Sequence, residues 1–160
     1  MKTKLKFFTF VIAATLVFTS CSDDDTVVDT QKPTITIVEP HTEEEFVPGS
    51  VLLFEAVFTD NVELASYKIE IHEDFDEHTH AFNKSSQDLN PFAYEQTFTI
   101  PAGRTSFEAT QEIAIPAELN GQPISEGAYH LGVFVTDKSG NQQEAFLEIH
   151  IEADAEEHVE

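Results

Sequence analysis

The histidines are where this chain could do chemistry. Three of the seven, His72, His78 and His80, fall within nine residues and are interleaved with Glu73, Asp74, Asp76 and Glu77. Neutral imidazole suits zinc, copper, nickel or iron, and neighbouring carboxylates either ligate or orient the rings by accepting their second N–H. Glu73, Asp74 and Asp76 are the candidates for that supporting role. The stretch does not suit calcium, because no glycine inside Asp74–His80 makes the sharp turn of a calcium loop and the acid spacing is wrong. His130 and His150 are further candidate ligands. His41 and His158 read as surface residues.

The element that presents His72 is a strand over Ser66–His72. Tyr67, Ile69 and Ile71 alternate with Lys68, Glu70 and His72, the period of a strand with one buried face. Six more stretches read as strands: Thr34–Val38, Val51–Thr59, Tyr94–Ile100, Phe107–Ile115, Ala128–Thr136 and Glu144–Glu152. Pro40, Pro48-Gly49, Asp60-Asn61, Pro101-Ala102-Gly103, Pro116 and Asp137–Asn141 separate them with turn chemistry. Residues 73–93 read as a long polar insertion, Glu118–Gly127 as a connection and 153–160 as an acidic tail. About seven short strands, with no long helix-period segment, predict one all-β domain over 33–152, an antiparallel β-sandwich.

The segments KPTITIVEP, VLLFEAVFTDN and AYHLGVFVTDKSGN resemble bacterial immunoglobulin-like domains. Tyr129 lies two residues before Leu131, where an antibody domain has its second core cysteine, which is the place of a tyrosine corner. Both core cysteines and the core tryptophan are missing, so the resemblance implies a sandwich with no disulfide. Residues 33–152, with the SYKIEIH and HTH segments, also resemble a family of Bacteroidota lipoproteins of unknown function. That resemblance implies a fold and a location and no activity.

In an immunoglobulin-like fold the third, sixth and seventh strands are neighbours in one sheet. Pairing Thr136 with Glu144 sets His130 opposite His150, and pairing Ile69 with Val133 sets His72 opposite His130. With Ile69, Ile71, Leu131, Val133, Leu147 and Ile149 pointing inward, all three histidines point outward. Neighbouring Cβ atoms in such a row are about 5 Å apart, and imidazoles close on zinc at about 2.1 Å. A slip of two residues keeps the face but moves a side chain by roughly 7 Å along the strand. The alternative is that these are polar side chains on a solvated face. The same register sets Phe134 opposite Phe146, also outward, covered either by the insertion 73–93 or by a partner protein.

The N-terminus reads as a leader. Lys2, Lys4 and Lys6 precede the apolar run Phe7–Phe18, which is too short to span a bilayer and suits a signal peptide over residues 1–20. Thr19-Ser20 before Cys21, the only cysteine, resembles a bacterial lipobox whose cysteine is lipidated. An ordinary secretory cut beside a stray thiol is the alternative. Ser22-Asp23-Asp24-Asp25 opens an acidic tether over 21–32 and resembles the surface-export signal of Bacteroidota outer-membrane lipoproteins. Removing residues 1–20 leaves 5 basic and 30 acidic residues, a net charge of −25. Such a charge repels nucleic acid and anionic lipid and attracts cations.

Two functions follow as expectations. One is a cell-surface lipoprotein that binds a Zn, Cu, Ni or Fe ion and serves as accessory to an outer-membrane transporter. The other is an adhesion or protein-interaction module without metal. Sugar binding is disfavoured by the absence of tryptophan. No enzyme is expected, since the chain has no glycine-rich phosphate loop, no Gly-x-Ser-x-Gly elbow and no cysteine beyond Cys21.

Overall fold

The computed structural model describes residues 28–73 and 89–153. Ten strands are present among them: β1 (Thr34–Glu39), β2 (Glu44–Phe46), β3 (Val51–Thr59), β4 (Leu64–Glu73), β5 (Tyr94–Thr99), β6 (Ser106–Ala114), β7 (Glu118–Leu119), β8 (Gln122–Pro123), β9 (Gly127–Asp137) and β10 (Gln142–Ile151). One sheet has the order β1-β3-β6 and the other β2-β10-β9-β4-β5; β7 and β8 form a separate small hairpin. The pairings are antiparallel except that β2 runs parallel to β10. This is an immunoglobulin-like β-sandwich without a disulfide. The seven expected strands are β1, β3, β4, β5, β6, β9 and β10.

The sandwich forms because alternation in both sheets aims apolar side chains at one another. From β3, Leu52, Phe54, Ala56 and Phe58 are buried. They meet Tyr67, Ile69 and Ile71 of β4, Tyr129, Leu131, Val133 and Val135 of β9, and Ile149 and Ile151 of β10. Fully burying one such side chain contributes about 1.5–3 kcal/mol, which makes this core the main stabilising term. Pairing of β4 with β9 is irregular between Leu64 and Ser66. That bulge lets Leu64 and Tyr67, three residues apart, both point inward.

Tyr129 forms the expected tyrosine corner. Its ring is buried, its hydroxyl donates to the Ser125 carbonyl at 2.6 Å, and it accepts the Phe92 N–H at 3.2 Å. One side chain thereby ties the entry of β9 to the segment that leads into β5. Burial pushes the Tyr129 hydroxyl above the ordinary tyrosine value, opposed by the Phe92 hydrogen bond and aided by the Glu73 charge.

The β9–β10 hairpin is tighter than the sequence reading predicts. Asp137 N–H donates to the Asn141 carbonyl, and the Asp137 carboxylate accepts both the Asn141 N–H and its side-chain amide. Gly140 takes φ 90°, the left-handed conformation that closes a three-residue hairpin loop. Thr136 consequently pairs with Gln142 instead of Glu144. The shift is two residues, so every side chain keeps its face and β10 slides along β9.

Candidate functional site

On the outward face of the five-stranded sheet, His72 and His130 are opposite partners across β4 and β9, as predicted. Leu131 and Ile71 anchor the two strands from the core side, so both imidazoles leave on the solvent side. Their ring centres are 5.8 Å apart with planes at 88°. With metal–nitrogen bonds of about 2.1 Å and a further ~1 Å to the ring centre, two imidazoles on one ion have centres roughly 5–6.5 Å apart. The separation of the pair, an edge-to-face contact, falls within that range.

His150 does not join that row. The tight hairpin places Glu148 opposite His130 and Ala128 opposite His150. His150 sits instead among carboxylates, with Nε2 at 3.2 Å from Glu148 and 3.7 Å from Glu43, and Nδ1 at 3.8 Å from Glu152. Glu43, Glu148 and His150 offer ligand atoms within 4.8 Å of one another. Glu43 is brought there by the β1–β2 turn, where its φ is 66° and its N–H donates to the Glu148 carbonyl. His41 is likewise among acids, 3.1 Å from Glu39 and grouped with Glu44.

His78, His80, Asp74 and Asp76, together with Cys21, lie outside the described residues. Glu73 ends β4 opposite Tyr129, and alternation sends its side chain away from the His72 face. Its charge is felt at the Tyr129 hydroxyl. It is therefore not placed to orient the His72 ring.

Phe134 and Phe146 meet, though not as direct opposites. Phe134 pairs with Glu144, and Phe146 pairs with Gly132. Phe146 leans over the bare Gly132 backbone and sets its ring 5.5 Å from Phe134 at 86°. Lys68, hydrogen-bonded to Glu70 at 2.6 Å, puts its ammonium 4.2 Å from the Phe134 ring centre. Phe146 remains 53% exposed. Glu70, Gly132 and Phe146 form one row across β4, β9 and β10.

The sequence reading misses a second grouping, at one end of the sandwich. Asp29, Asp60 and Asp137 offer carboxylate oxygens within 4.8 Å of one another. Asp29 belongs to the stretch expected to be tether, yet its carbonyl accepts the Asn141 amide at 3.1 Å. The Asn61 amide, and then the Gln31 N–H, hold its carboxyl below the ordinary aspartate value. The available signal was the pair of strand ends Thr59-Asp60-Asn61 and Thr136-Asp137, the latter with Asn141 four residues beyond Asp137.

Residues 19–152 match a family described as a domain of unknown function, DUF4625. The chain belongs to that family. No curated protein matches it. Among solved structures, the fibronectin(III)-like modules of Clostridium thermocellum CbhA are similar at 15% identity and TM-score 0.43, covering 75% of this chain and 97% of that one. OgpA from Akkermansia muciniphila is similar at 13% identity and TM-score 0.49, over 79% of this chain and 29% of that one. A Listeria innocua β-glucosidase matches at 15% identity and TM-score 0.41, over 74% of this chain and 16% of that one. The chain thus spans nearly all of the first and under a third of the other two.

Proposed function

We propose that this DUF4625 protein is a non-enzymatic lipoprotein of Bacteroidota type, anchored in the outer membrane through Cys21 and exposed on the cell surface. Its outward sheet face binds a divalent transition metal, Zn, Cu, Ni or Fe, and it serves as accessory to an outer-membrane transporter. The observation that carries the metal reading is the in-register pair His72–His130 with ring centres 5.8 Å apart. Imidazole favours these ions over calcium or magnesium. The strongly acidic chain raises the local concentration of any cation.

The test is elemental analysis followed by calorimetric titration with Zn2+ and Cu2+ on residues 26–160 without affinity histidines. One equivalent bound tightly and lost in His130→Ala supports the reading. Binding weaker than about 10 µM, a free energy of only about −7 kcal/mol, removes it.

A second reading is supported by the exposed Phe146 packed on Phe134. On it, the same face binds a protein and needs no metal. Capture of a transporter from native membranes by the parent chain, and its loss on changing both phenylalanines to alanine, separates this reading from the first.

A further inference from the structure

We infer that Asp29, Asp60 and Asp137 form a site for a hard divalent cation, calcium, at the point where the N-terminal segment enters the sandwich. The three come from distant parts of the chain. Asp29 precedes β1, Asp60 follows β3 and Asp137 ends β9, yet their carboxylate oxygens lie within 4.8 Å of one another. Asp137 is only 2% exposed.

Asp29 and Asp60 are each held by amides on one oxygen alone, and Asp137 is held on both. Asp29 Oδ1 accepts the Asn61 amide and the Gln31 N–H, both at 3.0 Å. Asp60 Oδ2 accepts the Val62 and Glu63 N–H groups, both at 2.8 Å. Asp137 accepts the Asn141 N–H at 2.8 Å and the Asn141 side-chain amide at 2.7 Å.

The remaining oxygens of Asp29 and Asp60 are what point to a ligand. Asp29 Oδ2 and Asp60 Oδ1 are buried and have no hydrogen-bond partner among the described residues. A buried, unpaired carboxylate oxygen is costly, and two of them beside a third carboxylate compound the cost by repulsion. Lys138, next in the chain to Asp137, does not relieve it, because its ammonium pairs with Glu63 at 3.9 Å. A divalent cation between the carboxylates satisfies both orphaned oxygens at once and cancels the repulsion.

The donor set selects the ion class. It is all oxygen, so it disfavours the softer ions suited to His72 and His130. Its carboxylates come from three separate segments, the lead-in to β1, the β3–β4 turn and the end of β9, which suits the variable coordination of calcium better than the strict octahedron of magnesium. The bound ion clamps the Asp29 segment to the β3–β4 turn and the β9–β10 hairpin.

The experiment is thermal unfolding of the full chain in detergent, stripped with chelator and dialysed, at constant ionic strength. Expected is a rise in Tm of several degrees with 1 mM Ca2+ and a smaller one with Mg2+. Binding to the native state alone produces such a shift. The variants Asp60→Asn and Asp29→Asn, which keep size and acceptor capacity, are expected to lose it and to bind Ca2+ at least tenfold more weakly. Glu112→Gln on exposed β6, paired with Leu53 at the far end of β3 from Asp60, removes one charge away from the site and is expected to keep it. A His72→Ala/His130→Ala double change also keeps it, so this site stands or falls separately from the transition-metal reading. No Ca2+-dependent shift in the parent chain, or the same shift in both aspartate variants, overturns the inference.

Discussion

His72 and His130 face each other across β4 and β9, 5.8 Å between ring centres, with planes nearly perpendicular. His150 lies two residues beyond the position that would complete their row. The ligand roles therefore separate. Changing His72 or His130 to alanine is expected to weaken Zn2+ or Cu2+ binding at least tenfold, about 1.4 kcal/mol. Changing His150 is expected to alter it less than twofold. Calorimetric titration of the three single variants decides this, and equal losses in all three would restore the three-histidine row.

Tyr129→Phe keeps the buried ring and removes one hydroxyl. The Ser125 carbonyl and the Phe92 N–H each lose a partner. Leaving buried backbone groups unsatisfied costs about 1–3 kcal/mol, so a loss of about 2 kcal/mol is expected, read as a lower urea midpoint with an unchanged slope. A loss under about 0.5 kcal/mol, a quarter of that range's midpoint, would mean that water replaces the hydroxyl.

Gly132 exists for Phe146. A Cβ there would lie 2.9 Å from Phe146 Cε1 and 3.0 Å from Glu70 Cγ. Both are flexible side chains, so Gly132→Ala is expected to cost only about 1 kcal/mol, as mild overpacking, while displacing Phe146 from Phe134. In a Phe146→Ala background only the Glu70 side chain still has to give, and the same change is expected to cost less, helped by the lower entropic cost of alanine than glycine in a strand. A double-mutant cycle measures the difference, and additivity of the two changes would dismiss the contact.

Alkaline pH should weaken the fold. Burial raises the hydroxyls of Tyr67 and Tyr129 above the ordinary tyrosine value of about 10. The Glu70 hydrogen bond raises the Lys68 ammonium above its own ordinary value. Each group then keeps its proton longer in the folded state than in the unfolded one. Stability is fully present below about pH 10 and falls as pH rises through the folded values, since the unfolded chain binds fewer protons there. Urea midpoints from pH 8 to 11 test it. Tyr129→Phe is expected to flatten the fall, and a midpoint that rises with pH would contradict the assignment.

Much of this architecture is legible without coordinates. Val51–Thr59 is a strand residue for residue, because Leu52, Phe54, Ala56 and Phe58 alternate without interruption. The corner at Tyr129 and the outward face of His72, His130 and His150 follow from the same alternation. The strand β2 is not legible, since three residues, Glu44–Phe46, are too few to show a period, and its parallel pairing with β10 is a long-range event.

Alternation has period two, and that sets the boundary between sequence and structure. It determines which side of the sheet each histidine leaves from, because a one-residue slip would bury the polar set. It is blind to a two-residue slip, which preserves both faces, so only the Asp137–Asn141 closure of the hairpin decided that His130 meets Glu148 and not His150. The carboxylates of Asp29, Asp60 and Asp137 lie further still from any local pattern. Their residues are scattered along the chain, and only the packing of two sheets, which brings the start of β1, the end of β3 and the end of β9 to one rim, sets them within reach of a single ion.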